Sequence, residues 1–214
     1  MKYRILTLTL FVLLMRMQSL LHAYPTGLNV IPSADILPAG NIRIGYESDG
    51  NKQPFDNGHV QYLYTQVGIR DRLEAGVDLY DVGGAKVSTF NAKLLLTPER
   101  NHLPELSVGV LNVANGISPG AYLVGTKNFG PLGVVAGAEH QSGDTWALVG
   151  AYYAVTPKFY LLGDYQSGSG RQGTVGAYYY FTPALGVNIY YAKNNTDSHA
   201  DYVGAYIGYT FSAK

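Results

Sequence analysis

Cysteine is absent from the 214 residues, which removes a disulfide framework, a thiolate metal site and a cysteine nucleophile together. Charge is scarce. Asp, Glu, Lys and Arg make up 14% of the chain, well below the quarter that is usual in soluble domains. The charge that is present balances, 15 basic side chains against 15 acidic, so there is no basic field to hold a nucleic acid. Long apolar runs are missing as well. The first, ILTLTLFVLLM (5–15), falls short of the about 20 residues that a spanning helix needs. After Tyr24 no stretch carries the 3.6-residue period of an amphipathic helix.

The early apolar run fits a secretion signal instead. Lys2 and Arg4 precede it, and SLLHA (19–23) follows with Ala23 at the expected cleavage point. Residues 1–23 are thus expected to be removed, with 24–40 forming an N-terminal segment and 41–211 the main unit.

What the chain has in quantity is tyrosine, 19 residues, and glycine, 26. They fall into segments of about ten residues with alternating polarity. In LEAGVDLYD (73–81), Leu73, Ala75, Val77 and Leu79 share one face and Glu74, Gly76, Asp78 and Tyr80 the other. Twelve such segments can be read, at roughly 41–48, 59–69, 72–82, 85–96, 104–113, 120–128, 131–140, 145–155, 158–166, 171–181, 184–193 and 201–211. The phrase VGAY opens at 149, 175 and 203, and Thr-Pro follows it at 156–157 and 182–183.

The connections alternate too. IRDR (69–72), FGPL (129–132), VTPK (155–158) and FTPA (181–184) are tight, and TPERNHLP (97–104) is the longer member of that set. The others, such as NGISPG (115–120) and KNNTDSHAD (193–201), are polar and glycine-rich. An even strand number, short turns on one rim and longer loops on the other predict an all-β, antiparallel, up-and-down transmembrane barrel. The rival is a secreted β-sandwich, whose strands are usually five or six residues long. Aromatics near strand ends also favour the membrane: Phe129, Phe159, Phe181 and Tyr209 by the tight turns, Tyr46, Tyr165 and Tyr191 by the loops.

On these residues the chain resembles bacterial outer-membrane β-barrel proteins of the porin-like kind. VGIRDRLEAGVDLYD (67–81) is similar to their short-turn hairpins, and AYIGYTF (205–211) to their aromatic-rich final strand. TGLNVIPSADILPAG (26–40) is similar to the start of larger barrels associated with exopolysaccharide systems. The resemblance implies an outer-membrane location, with lipid and the barrel-assembly machinery as partners. In one respect the chain departs from it. Phe211 is followed by Ser-Ala-Lys, whereas such chains usually end on the aromatic residue that the machinery reads.

With apolar faces toward lipid, the alternate residues enclose the lumen. A two-residue Gly83-Gly84 loop fixes a register that sets Glu74 opposite Lys93, and the next hairpin brings Glu105 near Lys127. Glu74, Lys93, Glu105 and Lys127 are then a ladder of alternating sign. It serves either to keep the wall neutral and firm or to orient passing solutes. Arg43, Glu47, Asp78, Glu139 and Asp164 are also expected inside, which amounts to a weak cation preference at most. Trp146, Tyr152, Tyr178, Tyr180, Tyr190, Tyr202 and Tyr206 form an inner aromatic wall, spaced by glycine. Such rings either pack on the glycines or offer a slide for saccharides.

Twelve tilted strands enclose a backbone diameter of roughly 24 Å and, after side chains, a bore on the order of 12 Å. Residues 24–40 either plug or brace the lower lumen or pack below it. The expected function is passive diffusion of small polar solutes. The alternative is a structural or assembly-linked barrel without an open pore, associated with exopolysaccharide export. Adhesion ranks third. No cofactor is expected. His59, His102, His140 and His199 lack metal-ligand spacing, and His140 with Ser142 and Asp144 reads as a solvated hairpin tip rather than a catalytic group.

Overall fold

Period-two alternation becomes twelve antiparallel strands in the computed structural model, which describes residues 27–50, 60–82, 85–113, 118–197 and 201–212. They are β1 (Ile42–Gly50), β2 (Val60–Arg70), β3 (Leu73–Val82), β4 (Ala85–Thr97), β5 (Glu105–Val113), β6 (Gly120–Phe129), β7 (Leu132–Gln141), β8 (Asp144–Thr156), β9 (Phe159–Gln166), β10 (Gln172–Tyr180), β11 (Leu185–Asn194) and β12 (Tyr202–Phe211). Each matches one of the twelve alternating segments. The expected secretion signal, the Gly83-Gly84 turn, His59 and His199 lie outside the described residues.

Every strand pairs with its sequence neighbours, and β1 pairs with both β2 and β12, so the sheet closes without an edge. Local chemistry fixes the turns. Between β7 and β8, Ser142 and Gly143 both take positive φ, 56° and 89°, the primed two-residue turn whose twist suits a hairpin. Thr156 and Thr182 hydroxyls accept the N–H groups of Phe159 and Leu185 at the Thr-Pro turns, each at 3.0 Å.

The two faces differ as lipid and lumen require. Outward side chains such as Leu63, Leu123, Val149, Val175 and Ile189 are exposed, Val175 by 66%. A bilayer is the solvent that suits this exposed apolar band. Inward side chains are mostly buried, charged ones included. A bore on the order of 12 Å would leave them wet. Two groups of residues fill the space instead. One is a cluster in which Leu28, Ile31 and Ala34 of the N-terminal segment pack on Tyr122, Val124, Val135 and Leu148. The other is a tyrosine cluster of Tyr64, Tyr160, Tyr178, Tyr180 and Tyr206.

Candidate functional site: the filled lumen

Residues 27–41 cross the interior of the barrel. The segment begins as a tight loop, with Gly27 bridged to Pro32 and the Leu28 N–H donating to the Ile31 carbonyl at 2.9 Å. Irregular backbone at membrane depth must find its hydrogen-bond partners in the surrounding protein. Asp164 on β9 accepts from the N–H groups of Asn29 and Val30 at 2.8 and 2.9 Å. The Asn29 side chain donates to Thr174 on β10 and accepts from Asn188 on β11, at 2.8 and 2.9 Å.

On the opposite wall, Thr126 accepts from the Ala34 N–H at 2.8 Å and Ser107 donates to the Ala34 carbonyl at 2.5 Å. Lys93 Nζ donates to the Ser33 carbonyl at 3.1 Å, and Glu74 accepts from the Leu37 N–H at 2.6 Å. Gly40 and Asn41 then pair with Gly68, where the carbonyls of Leu37 and Pro38 lie too close for any side chain but hydrogen.

The expected lumen charges separate by partner. Glu74 and Lys93 are register partners and an ion pair at 3.2 Å. Arg43 Nε donates to Thr210 at 3.1 Å. Glu47 and its neighbour Asp49 both accept from the Tyr190 hydroxyl, at 2.7 and 3.0 Å. Asp78 accepts from Asn91, which in turn accepts from Gln66, at 2.8 and 2.7 Å. Glu139 accepts from Gln166 at 3.0 Å.

The upper half of the expected ladder is corrected. Glu105 pairs with Thr126, not Lys127, and a shift of one residue moves a side chain to the other face. Lys127 therefore alternates with the buried Tyr122, Val124 and Thr126 and turns to the short-turn rim. There its Nζ meets Glu99 Oε1 and the Arg100 carbonyl, each at 2.8 Å. Glu99 also accepts from Asn128 Nδ2 at 2.6 Å. Partial burial pushes the Glu99 carboxyl up, but the hydrogen bonds from Lys127 and Asn128 outweigh it and hold the group below its ordinary range.

The aromatic residues form two groups. Tyr178 and Tyr180 lie 4.5 Å apart by ring centroids, and Tyr178 and Tyr206 6.5 Å. The Tyr206 ring lies against Gly45 and Gly208, where an added Cβ would collide with it. Tyr152 donates to Asn128 at 2.5 Å. Toward the longer loops, Tyr190 and Tyr202 meet edge to face at 6.1 Å, and Trp146 carries the Arg171 guanidinium 3.6 Å above its ring.

Tyr62, Tyr64 and Tyr160 join this wall without having been expected there. Tyr160 is the register partner of Tyr178 and shares the parity of Asp164 on β9, so counting along β9 from Asp164 would have found it. The inward apolar residues Val124, Val135 and Leu148 were missed as well. They are the signal that something apolar faces them.

No curated protein matches this chain. Solved structures with a similar fold include the KdgM porin, at 12% identity and TM-score 0.59 over 80% of this chain and 99% of that one. The KdgM porin in complex with disordered oligogalacturonate gives 11% and 0.58 over 80% and 99%. The NanC porin gives 13% and 0.50 over 81% and 99%. Identities this low establish the fold alone, an outer-membrane β-barrel of porin-like architecture. The model of the family YjbH, described as exopolysaccharide biosynthesis protein YbjH, matches residues 21–194. With most of its length matched, and with an N-terminal segment that already resembled exopolysaccharide-associated barrels, the chain belongs to the YjbH family.

Proposed function

We propose that this barrel is a porin-like outer-membrane channel for saccharides and other small polar solutes in an exopolysaccharide system, and that residues 27–41 hold it closed at rest. The observation that carries this reading is the course of the segment. It is tied to Asp164, Thr174 and Asn188 on one wall and to Thr126, Lys93 and Glu74 on the other. These ties are hydrogen bonds to a polar wall, each exchangeable for water, together with a modest apolar contact. Withdrawal of the segment therefore opens the part of the lumen that it fills, between the polar wall residues, the apolar patch of Val124, Val135 and Leu148, and the tyrosine cluster.

Support for saccharide as the cargo comes from the family description and from the KdgM structure that holds oligogalacturonate. With Asp49 added and Lys127 removed, the wall remains weakly cation-preferring. A hydrolase has less support, since His140 Nδ1 lies 2.9 Å from Thr145 Oγ1 at a hairpin tip.

The absence of native cysteine permits a clean test. Ala34→Cys with Thr126→Cys joins positions already in hydrogen-bond contact. In planar bilayers the oxidised protein should be silent, and the reduced protein should open and be blocked by oligosaccharide. A reduced protein that is folded, as judged by heat-modifiable gel mobility, yet never conducts would favour the structural, assembly-linked barrel instead.

A further inference from the structure

The mouth on the longer-loop rim holds a second cluster, apart from the segment and the tyrosine cluster below it. Trp146 is the only tryptophan of the chain. It is half-buried at the start of β8, with the Arg171 guanidinium stacked on its ring and Gly168 against its edge. Gly168 has φ +107, and an added Cβ there would strike the indole.

The β9–β10 loop that carries these groups is pinned from both sides. Asn195 Nδ2 donates to the carbonyls of Gln166 and Gly168 at 2.9 Å each, and Ser167 Oγ accepts from the Ala147 N–H at 2.8 Å. Further planar polar groups stand at the same mouth. Arg171 donates to Gln141 at 3.2 Å and Gln172 donates to the Tyr202 hydroxyl at 3.1 Å. The Gln166 amide bonds Glu139 just beneath.

Arg171 commits one of its five N–H donors to Gln141. Arg171 covers one face of the indole, and the opposite face, beside amide and carboxylate groups, is the surface offered to a pyranose. The apolar ring face stacks, and the vicinal hydroxyls bridge planar donors and acceptors. The acidic neighbours fix which sugar. Glu139 is the register partner of Trp146 and Asp144 stands on the rim two residues before it, so two carboxylates outnumber Arg171 and a uronic acid meets more like charge than a neutral sugar does.

We infer that this mouth is a binding site for neutral saccharide, with Trp146 as the stacking surface and Arg171, Gln141 and Gln172 as the hydroxyl partners. The inference rests on the saccharide-channel reading but not on the opening of the pore, because the site lies on the outer side of residues 27–41.

The single tryptophan makes the test direct. The refolded full-length protein in detergent is titrated with neutral oligosaccharides of glucose, galactose and mannose and, separately, with oligogalacturonate, while tryptophan emission is followed. The expected result is a saturable emission change with at least one neutral oligosaccharide and a response at least tenfold weaker to oligogalacturonate. Arg171→Gln should weaken the neutral response by about tenfold with heat-modifiable mobility retained, and Gln172→Ala should do so by a smaller factor.

No saturable change with any neutral sugar overturns the site. An equal response to oligogalacturonate overturns the neutral class, and an unchanged titration in both variants overturns the residue assignment. Current block in bilayers without an emission change would leave the channel standing and remove this site. An emission change in a protein that never conducts would do the reverse.

Discussion

Glu74 and Lys93 face each other across β3 and β4 with Oε1 and Nζ 3.2 Å apart, and each side chain is 1% exposed. Each also holds the segment that crosses the lumen, Glu74 through the Leu37 N–H and Lys93 through the Ser33 carbonyl. The pair thus ties wall and segment into one polar unit, and its Coulomb attraction offsets part of the cost of taking both charges out of water.

Removing one member leaves the other buried and uncompensated. Lys93→Met is expected to lower stability by about 3–5 kcal/mol. Adding Glu74→Gln to it should lower stability by much less than the sum of the two single changes. Urea unfolding of the refolded protein in lipid vesicles reads both quantities. Single variants within about 1 kcal/mol of the parent would place this pair in water, contrary to its burial.

How far this arrangement could be read in advance depended on how local its causes are. The Glu74–Lys93 pairing follows from a two-residue loop a few residues away, so register and side-chain parity suffice. Glu105 and Lys127 are joined by a connection whose length sets no register, and there the count slipped by one residue. The alternation of β3 or β12 shows which face is apolar, because lipid and lumen act on every second residue. The path of residues 27–41 depends instead on Asp164, Thr126 and Glu74 together, which are distant in sequence and meet only once the barrel closes. The inward Val124, Val135 and Leu148 were one trace it left on the wall, and the close-packed Gly68 another.

The rim contact between Glu99 and Lys127 should respond to acid. Glu99 lies in the turn beyond β4, where hydrogen bonds from Lys127 and Asn128 hold its carboxyl below the ordinary range against the opposing effect of partial burial. A folded-state value below the unfolded one means a contribution to stability that is fully present above the ordinary carboxylate range. It is lost as pH falls through the lowered value. Carboxyl carbon shifts of Glu99, followed by NMR in detergent, are expected to titrate below those of a solvated glutamate, and Lys127→Met should raise the midpoint. Identical midpoints in parent and variant would mean that the 2.8 Å contact has no energetic weight in solution.

Leu123 and Val124 are neighbours in β6 that face different solvents. Leu123 is 50% exposed, whereas Val124 is fully buried in the cluster that contains Leu28 and Ile31. If acyl chains surround the barrel, a charge at Leu123 must either stay in hydrocarbon or distort the bilayer to reach water. Leu123→Arg should then lower stability in vesicles by about 2–4 kcal/mol, the cost measured for such residues near the midplane of other barrels. The same change should cost little in a protein whose exposed face meets water, where an arginine is well solvated. Val124→Arg acts by another route. It places a charge against Leu28 and displaces residues 27–41, so it should raise channel opening as well as lower stability. Comparing the two variants in vesicles of defined thickness separates lipid contact from lumen packing. A neutral Leu123→Arg with a damaging Val124→Arg would mean that the outer face of the sheet is bathed in water.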